Sequence, residues 1–541
     1  MVFRSTFMAC LITCLITTAV VADEGQDDLD RATDLKLQAK SMQDFDSVIR
    51  LCEQAIKKGL TADSAMFARD LLTATRFQKA ERILQALGGN RRGRQWKALR
   101  DLAINDLDKI LKTEKDYAET YLLKARLLIL PDGDPEAARE AVDLALKLMN
   151  DPRGKSEAYL IRSKTQKQPK VALIDINQAI KLDASNLEAV RTRALLLIAT
   201  KELDLAMADL KKVIQEDPED PGVRITLAEL LADQKNFDEA INLLEPLVDD
   251  QQTRIMGLRV RAGIHQMREA YDDAIDDINM ILKENPSDLN SMLFRARIHY
   301  LKEDMAAARK DLNRVLRAAP NAAPALLLRS AIAADEEDYT QAILDIEKIL
   351  EQAPEEISLK VQIAFYHLAD DRPRKAIEVL SSVISADPNH AGALRARGDA
   401  NLAIGKHAEA IKDFEVAIKV APENSGLLNN LAWVLATSPD DKLRDGKRAI
   451  ELATKACELT KFEQAHILST LGSAHAETGD FDEAKKWAQK AVEAASAENK
   501  EQLQEELDSY ESEKPWREKQ EVVEKSWPPE KDTDSGDGEK K

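Results

Sequence analysis

Prolines recur through the middle of this chain at Pro218, Pro286, Pro320, Pro354, Pro388 and Pro422, 34 residues apart except for the first gap, which is twice that. Twelve residues before each period mark lies an alanine: Ala172, Ala206, Ala240, Ala274, Ala308, Ala342, Ala376 and Ala410. Twelve residues earlier again lies a small side chain: Ala194, Ala228, Ala262, Ala296, Ser330, Ala364 and Gly398. A fixed period of this length constrains the fold before any motif does. Two antiparallel helices approach to roughly 8–10 Å only where the side chains at their crossing are small. The proline ends the second helix and moves the residue before it out of helical conformation. One such hairpin cannot bury its apolar face alone, so neighbours must stack.

This period and layout resemble the tetratricopeptide repeat family over roughly residues 30–496. The resemblance implies an all-α fold, a superhelical solenoid of antiparallel helix pairs with about a dozen repeats. It also implies that the first helix of each pair lines an inner groove. The family's tyrosine, three residues after the small one, is replaced here by His265, His299, His367 and His475. Towards the N-terminus the register weakens. Ala68 and Ala80 keep the spacing of twelve and read as the two helices of a hairpin, whereas "GGNRRGRQWKALRDLAINDLDKIL" lacks a full first helix. The turn between Ser163 and Ala172 is three residues short, and five extra residues stand between Ala432 and Ala449. The expected organisation is a signal peptide (1–22), irregular N-terminal helical repeats (23–115), a regular array (116–422), C-terminal repeats including the extended one (423–496), a capping helix (497–512) and a disordered charged tail (513–541).

A second pattern lies inside the repeat. Arg193, Arg261, Arg295, Arg329 and Arg397 precede the small residue, and Asp209, Asp277, Asp311, Asp345 and Asp413 follow sixteen positions later. Where the first site is apolar the second is too: Phe67 with Ile83, Leu227 with Leu243, Ile363 with Val379, Leu431 with Leu452. Lys124 with Glu140 keeps the charges with other residues, and the short-turn repeat keeps Arg162 and Asp175 thirteen apart. No mixed pair is found. Residues equidistant from the turn of a hairpin face each other, so these charges are expected to meet as structural ion pairs. Removing one partner of a buried pair costs about 3–5 kcal/mol, whereas replacing both with apolar groups is often near neutral. The alternative is an arginine ladder that reads a ligand.

The chain carries 77 Lys+Arg against 96 Asp+Glu, a net charge of -19, which disfavours nucleic acid as a partner because phosphate contacts need a basic surface. Arg4, the uncharged run from Phe7 to Val21 and the small side chains before Asp23 read as a secretory signal. The chain is therefore expected in the periplasm or cell envelope, or secreted, with no membrane span after cleavage; the bacterial setting rests on the resemblance. Cys52 and Cys457 remain, read as buried free thiols. The basic island at residues 90–100 reads as an irregular connection and an exposed helix start. His265 and His299 fall on successive repeats, too far apart to converge on one metal, and read as packing. No HExxH, P-loop, GxSxG or EF-hand spacing occurs, so no catalytic residue, metal site or cofactor is expected.

The candidate partner-binding residues are those that the resemblance turns into the groove. They include Arg191, Glu229, Arg259, Arg297, Phe365, Arg395, Asp399 and Trp433. Aromatic and arginine side chains tend to carry binding energy at interfaces. The expected role is a non-catalytic scaffold that presents its groove to a protein or peptide. The alternative is a periplasmic assembly chaperone or secretion accessory protein, which an exposed apolar groove would favour over a charged, wet one.

Overall fold

The computed structural model describes residues 24–88, 95–497, 499–518 and 524–525. The expected signal peptide, residues 90–94 of the basic island and most of the tail lie outside them. Among the described residues the chain forms 27 α-helices and one 3-10 turn, Asp441–Leu443, with no strand. The helices group into two compact units, Met1–Arg268 and Glu269–Lys541. Within each unit, consecutive helices pair as hairpins and each hairpin packs on the next. In the first unit Leu187–Ala199 pairs with Leu203–Glu216 and Pro221–Asp233 with Phe237–Asp249. In the second, Leu289–Leu301 pairs with Met305–Ala318 and Ala391–Ala403 with His407–Val420.

The local signals act where the sequence places them. Proline stands in the first turn of Pro221–Asp233, where its missing N–H costs nothing, and the Asp220 carboxylate accepts from the free amides of Gly222 and Val223. Seven turns between helices each hold one residue in the left-handed region, again every 34 positions: Lys201, Lys235, Glu269, Glu303, Glu337, Asp371 and Gly405, with φ between 53° and 75°. Only the last is glycine, so six turns carry a Cβ where the backbone disfavours one.

Burial follows the repeat. Ala194, Ala228, Ala262, Ala296 and Ala364 are fully buried, and so are Ala206, Ala240, Ala274, Ala308, Ala342, Ala376 and Ala410. Opposite them stand Leu210, Leu244, Ile278, Leu312, Ile346 and Leu380, all equally buried. The hairpin that holds glycine instead has Phe414 at this place, also fully buried. A Cβ on Gly398 would lie 2.8 Å from Phe414 Cζ and nearer still to Cε1, so the larger ring requires the missing methyl.

Four expectations need correction. Residues 62–87 form one continuous helix, Ala62–Leu87, that contains both Ala68 and Ala80. The run has no glycine or proline to break it, so Phe67 and Ile83 share one helix and do not face each other across a turn. This helix is itself the first member of a hairpin with Trp96–Thr113, the partner that the sequence seemed to lack. Secondly, Lys124 bonds to Asp108 of the preceding hairpin at 2.6 Å, and Glu140 is exposed. The crossing residue of Pro135–Leu148 is the fully buried Ala138, which moves the second site one place on, to Ala141. That hairpin does hold a mixed pair. Thirdly, Arg100 in the basic island is buried, donating to the Pro131 carbonyl at 2.9 Å. Finally, the segment 514–518 is ordered against the extended repeat. The Glu518 amide donates to the Thr437 carbonyl at 3.0 Å, Arg517 pairs with Glu477 at 2.5 Å, and Trp516 packs on the apolar core. The five extra residues supply part of this dock, because Arg444 holds Glu477 from the other side at 2.9 Å.

Cys52 and Cys457 are free and buried, one in each unit, and burial pushes both thiols up to about 11. No helix among the described residues is long and apolar enough to cross a membrane.

Candidate partner-binding face and its ion-pair frame

The arginine at the hairpin crossing extends along the second helix of its own pair. Arg193 Nε and Nη2 donate to the two oxygens of Asp209 at 2.7 and 2.6 Å. Arg295 makes the same fork on Asp311 at 2.7 Å for both arms, and Arg397 on Asp413 at 2.9 and 2.7 Å. Arg329 grips Asp345 at 2.7 and 2.5 Å. In the short-turn hairpin Arg162 puts both donors on one oxygen of Asp175, at 3.1 and 2.6 Å. The aspartates are buried, and each accepts two charge-assisted bonds from its arginine, parallel in every case but Asp175, whose other oxygen accepts from Gln166. For Arg162, Arg193, Arg329 and Arg397 the bond to the aspartate raises the guanidinium pKa further, against the opposing effect of burial. Arg261 lies at the end of the first unit and the buried Asp277 near the start of the second.

A third arm was not foreseen. Arg193 Nη1 reaches back sixteen residues to Asn177 Oδ1 at 3.1 Å, and Arg397 Nη1 to Ser381 Oγ at 3.1 Å. Arg295 does the same with Asn279, and Arg162 reaches back nineteen residues to Asp143 at 2.8 Å. Each of these arginines thus ties three helices: its own, its hairpin partner and the second helix of the preceding hairpin. With the fork engaged on aspartate and the last arm on the neighbour, these side chains form the frame of the stack. The pattern extends to the hairpin of Ala62–Leu87 and Trp96–Thr113 in altered form: the buried Lys79, next to Ala80, donates to the buried Asp106 at 2.7 Å. Asp106 stands three places after Ala103, as Asp209 does after Ala206. That spacing was visible in the sequence, but the misplaced turn concealed it.

The expected groove residues fall on first helices and differ in how free they are. In the first unit Arg191 is bound to Asp220, and lies 3.4 Å from Glu188 and 3.8 Å from Asp217. Leu195, on the same helix, is 55% exposed. Glu229 and Arg259 are both exposed. They line a cavity of about 530 Å³ between Pro221–Asp233 and Arg254–Met267, with Asp233 and Met267. In the second unit Arg297 is exposed beside the ring of Phe294, 5.8 Å from its centre, and Phe365 is 51% exposed. Arg395 lies 3.8 Å from Asp399, and Trp433 is half-buried.

Asp399 and Trp433 belong to a deeper feature, a cavity of about 560 Å³ at the C-terminal end of the second unit. The capping helix Lys500–Glu511 and Glu518 of the docked segment line part of its wall. Nothing in the sequence points to it, because its wall includes Glu518, which takes its place only once residues 514–518 dock beyond the expected capping helix. Its chemistry is acidic. Glu506 is buried at 1% exposure, accepting from Ser469 Oγ and from Gln502 Nε2 at 3.2 Å. Asp399 accepts from Asn430 Nδ2 at 2.6 Å. Burial pushes the carboxyls of Asp399, Glu506 and Glu518 upward, against the hydrogen bonds that each receives.

Tetratricopeptide repeat family models match residues 197–262, 266–323 with 363–440, and 465–498. Among solved structures, a tetratricopeptide repeat protein from Parabacteroides merdae is 18% identical, covering 45% of this chain and 97% of its own, with a TM-score of 0.33. The MamA protein is 23% identical over 33% of this chain and 94% of its own, with a TM-score of 0.28. Yeast Tom70 is 16% identical over 82% of this chain and 96% of its own, with a TM-score of 0.31. No curated protein matches the chain significantly. The matched stretches carry tetratricopeptide repeats, and among the described residues the fold is the all-α arrangement of antiparallel helix pairs that those repeats build.

Proposed function

We propose that this repeat chain is a non-catalytic scaffold that holds a protein or peptide partner against its first helices, in the cell envelope or outside the cell after export through residues 1–22. One observation carries the reading. The residue that follows the buried crossing position points outward from several first helices, so Leu195, Glu229, Arg297 and Phe365 are all exposed beside fully buried alanines. Large side chains displayed from a rigid frame lose little entropy on binding, which is the property that an interaction surface needs. The mixture of charged and apolar groups supports a scaffold for a folded or extended partner over a chaperone for unfolded chains.

The test is capture from envelope extract with the full chain as bait. Leu195→Glu with Phe365→Glu should lower recovery of the specific partner at least tenfold. Leu205→Glu, an equally exposed change on a second helix, should leave it unchanged. Loss with Leu205→Glu and retention with the first-helix double variant would place the surface on the second helices and refute the reading.

A further inference from the structure

We propose that the cavity at the C-terminal end of the second unit receives a basic side chain, arginine in preference to lysine, from the protein segment held on the first helices. This rests on the scaffold reading and adds the chemistry of its partner.

Three observations converge. The first is an unmet acceptor. Asn429 lines the cavity at 7% exposure; its Nδ2 donates to Asn430 Oδ1 at 3.3 Å, while its Oδ1 is buried with no hydrogen-bond partner. A buried amide oxygen left unpaired costs roughly 1–3 kcal/mol, so it marks a place where a donor is due. The Glu518 carboxyl accepts from the Trp433 side chain, but its Oε2 is buried with no hydrogen-bond partner and lies 3.6 Å from His407 Nε2.

The second is the sign of the wall. Asp399, Glu463, Glu506 and Glu518 all line the cavity. Asn430 is engaged on Asp399, and Ser469 and Gln502 on Glu506. The basic groups nearby do not balance these acids. Arg395 stands 3.8 Å from Asp399 and is nearly half exposed, and His466 in the wall and His407 behind Glu518 are both driven towards the neutral form by burial. A guest cation lets desolvated carboxyls ionise against a partner, which neither a neutral nor an anionic guest can do.

The third is shape. The volume, about 560 Å³, suits one long side chain with its flanking backbone. The Trp433 indole forms part of the wall, and a guanidinium both stacks on an aromatic face and offers five donors to acceptors arranged around it. An ammonium offers three donors and stacks less well, which sets the order of preference.

Fluorescence polarisation with dye-labelled, end-blocked Gly-Gly-X-Gly-Gly peptides tests this on the full chain at low salt. With X as arginine, binding should exceed that of the glutamine peptide at least tenfold, with lysine between. Glu506→Gln combined with Glu518→Gln should weaken the arginine peptide at least tenfold and leave the glutamine peptide unchanged. Should that variant fail to fold, as circular dichroism would reveal, Asn429→Asp supplies a gain of function: the arginine peptide should bind several-fold tighter. Equal binding of the arginine and glutamine peptides would overturn the proposal, and so would an Asn429→Asp chain with unaltered affinity for arginine. The capture assay separates the two levels. Partner recovery that survives the double glutamine change but not Leu195→Glu with Phe365→Glu removes the cavity proposal and leaves the scaffold standing.

Discussion

Replacing Arg295 with leucine removes three donors at once, two from Asp311 and one from Asn279. The arginine side chain is 18% exposed and that of Asp311 only 4%, so water cannot readily take over the carboxylate. Isolating a buried charge in this way costs about 3–5 kcal/mol, and the lower end applies because the edge of the site is open to solvent. Replacing Asp311 with leucine strands the guanidinium instead. It is more exposed and keeps Asn279, so the cost should be about 2 kcal/mol. Neither penalty survives in the double variant, which has no orphan charge and resembles the leucine pair at Leu227 and Leu243; its cost should be about 1 kcal/mol, a coupling of roughly 4 kcal/mol between the sites. Hydrogen exchange on the full chain, read by mass spectrometry for peptides from Leu289–Leu301 and Met305–Ala318, measures this locally. A loss of about 3 kcal/mol appears as exchange more than a hundredfold faster in Arg295→Leu, and the double variant should return to within about tenfold of the parent. Peptides from Leu187–Ala199 should not change, because a stacked array transmits stability mainly between neighbours. An additive double variant, exchanging faster than either single one, would refute the argument that the pair exists to keep two buried charges mutually satisfied.

Three further outcomes follow from the same geometry. Gly398→Ala drives a methyl into the Phe414 ring and should destabilise the helices Ala391–Ala403 and His407–Val420 by about 1–3 kcal/mol, with Phe414→Leu recovering most of it; thermal melts of the single and double variants decide this. Glycine at Glu303, where φ is 61°, should raise the local unfolding free energy by about 0.5–1 kcal/mol, and the same change at Lys235 should do likewise, as hydrogen exchange across each turn would show. His367 is held down to about 4 by burial, with Arg372 and Lys375 adding to the effect. The unfolded chain, with its imidazole near 6.5, then binds more protons between about pH 6.5 and 4, so stability falls as pH is lowered through that window. His367→Gln should flatten the dependence of Tm on pH there, and an unchanged slope would refute the assignment.

The hairpin period was legible because it rests on contacts within one repeat. Ala194 and Ala206 meet over a turn of fixed length, and the arginine and aspartate sixteen apart lie on the same two helices, so a single sequence holds both partners in register. Legibility failed where that local rule was imitated or broken. Ala68 and Ala80 satisfied the spacing, yet the interval between them contains nothing that would stop a helix, and Ala62–Leu87 runs straight through. A spacing of twelve is only about three turns and a third, so small residues on one helix can mimic two residues on a hairpin. Lys124 failed for a different reason: its partner lies sixteen residues behind it and not ahead, in the place that Asn177 occupies for Arg193. The backward arm was available to inspection but had no constant charge to advertise it, since asparagine or serine fills it beside Arg193, Arg295 and Arg397 and an aspartate beside Arg162.

The cavity lies furthest from any local rule. Asp399, Asn429 and Glu506 come from three different elements, and only the return of residues 500–518 over the extended repeat brings them together. Residues 500–511 form the expected capping helix, whereas the charged sequence after residue 512 points to a solvated tail when read alone. Its order comes from Trp516 and from Arg517, which meets Glu477 at a point that Arg444 has already fixed. The five residues inserted before Ala449 therefore have a physical purpose that the repeat pattern presents only as an irregularity. They bring Arg444 to Glu477, Glu477 receives Arg517, and the next residue, Glu518, is then set into the wall of the cavity. A chain whose regular repeats make a frame thus places its most chemically specific feature where the repeat is violated, and removing Arg444 should loosen Glu518 before it disturbs any hairpin.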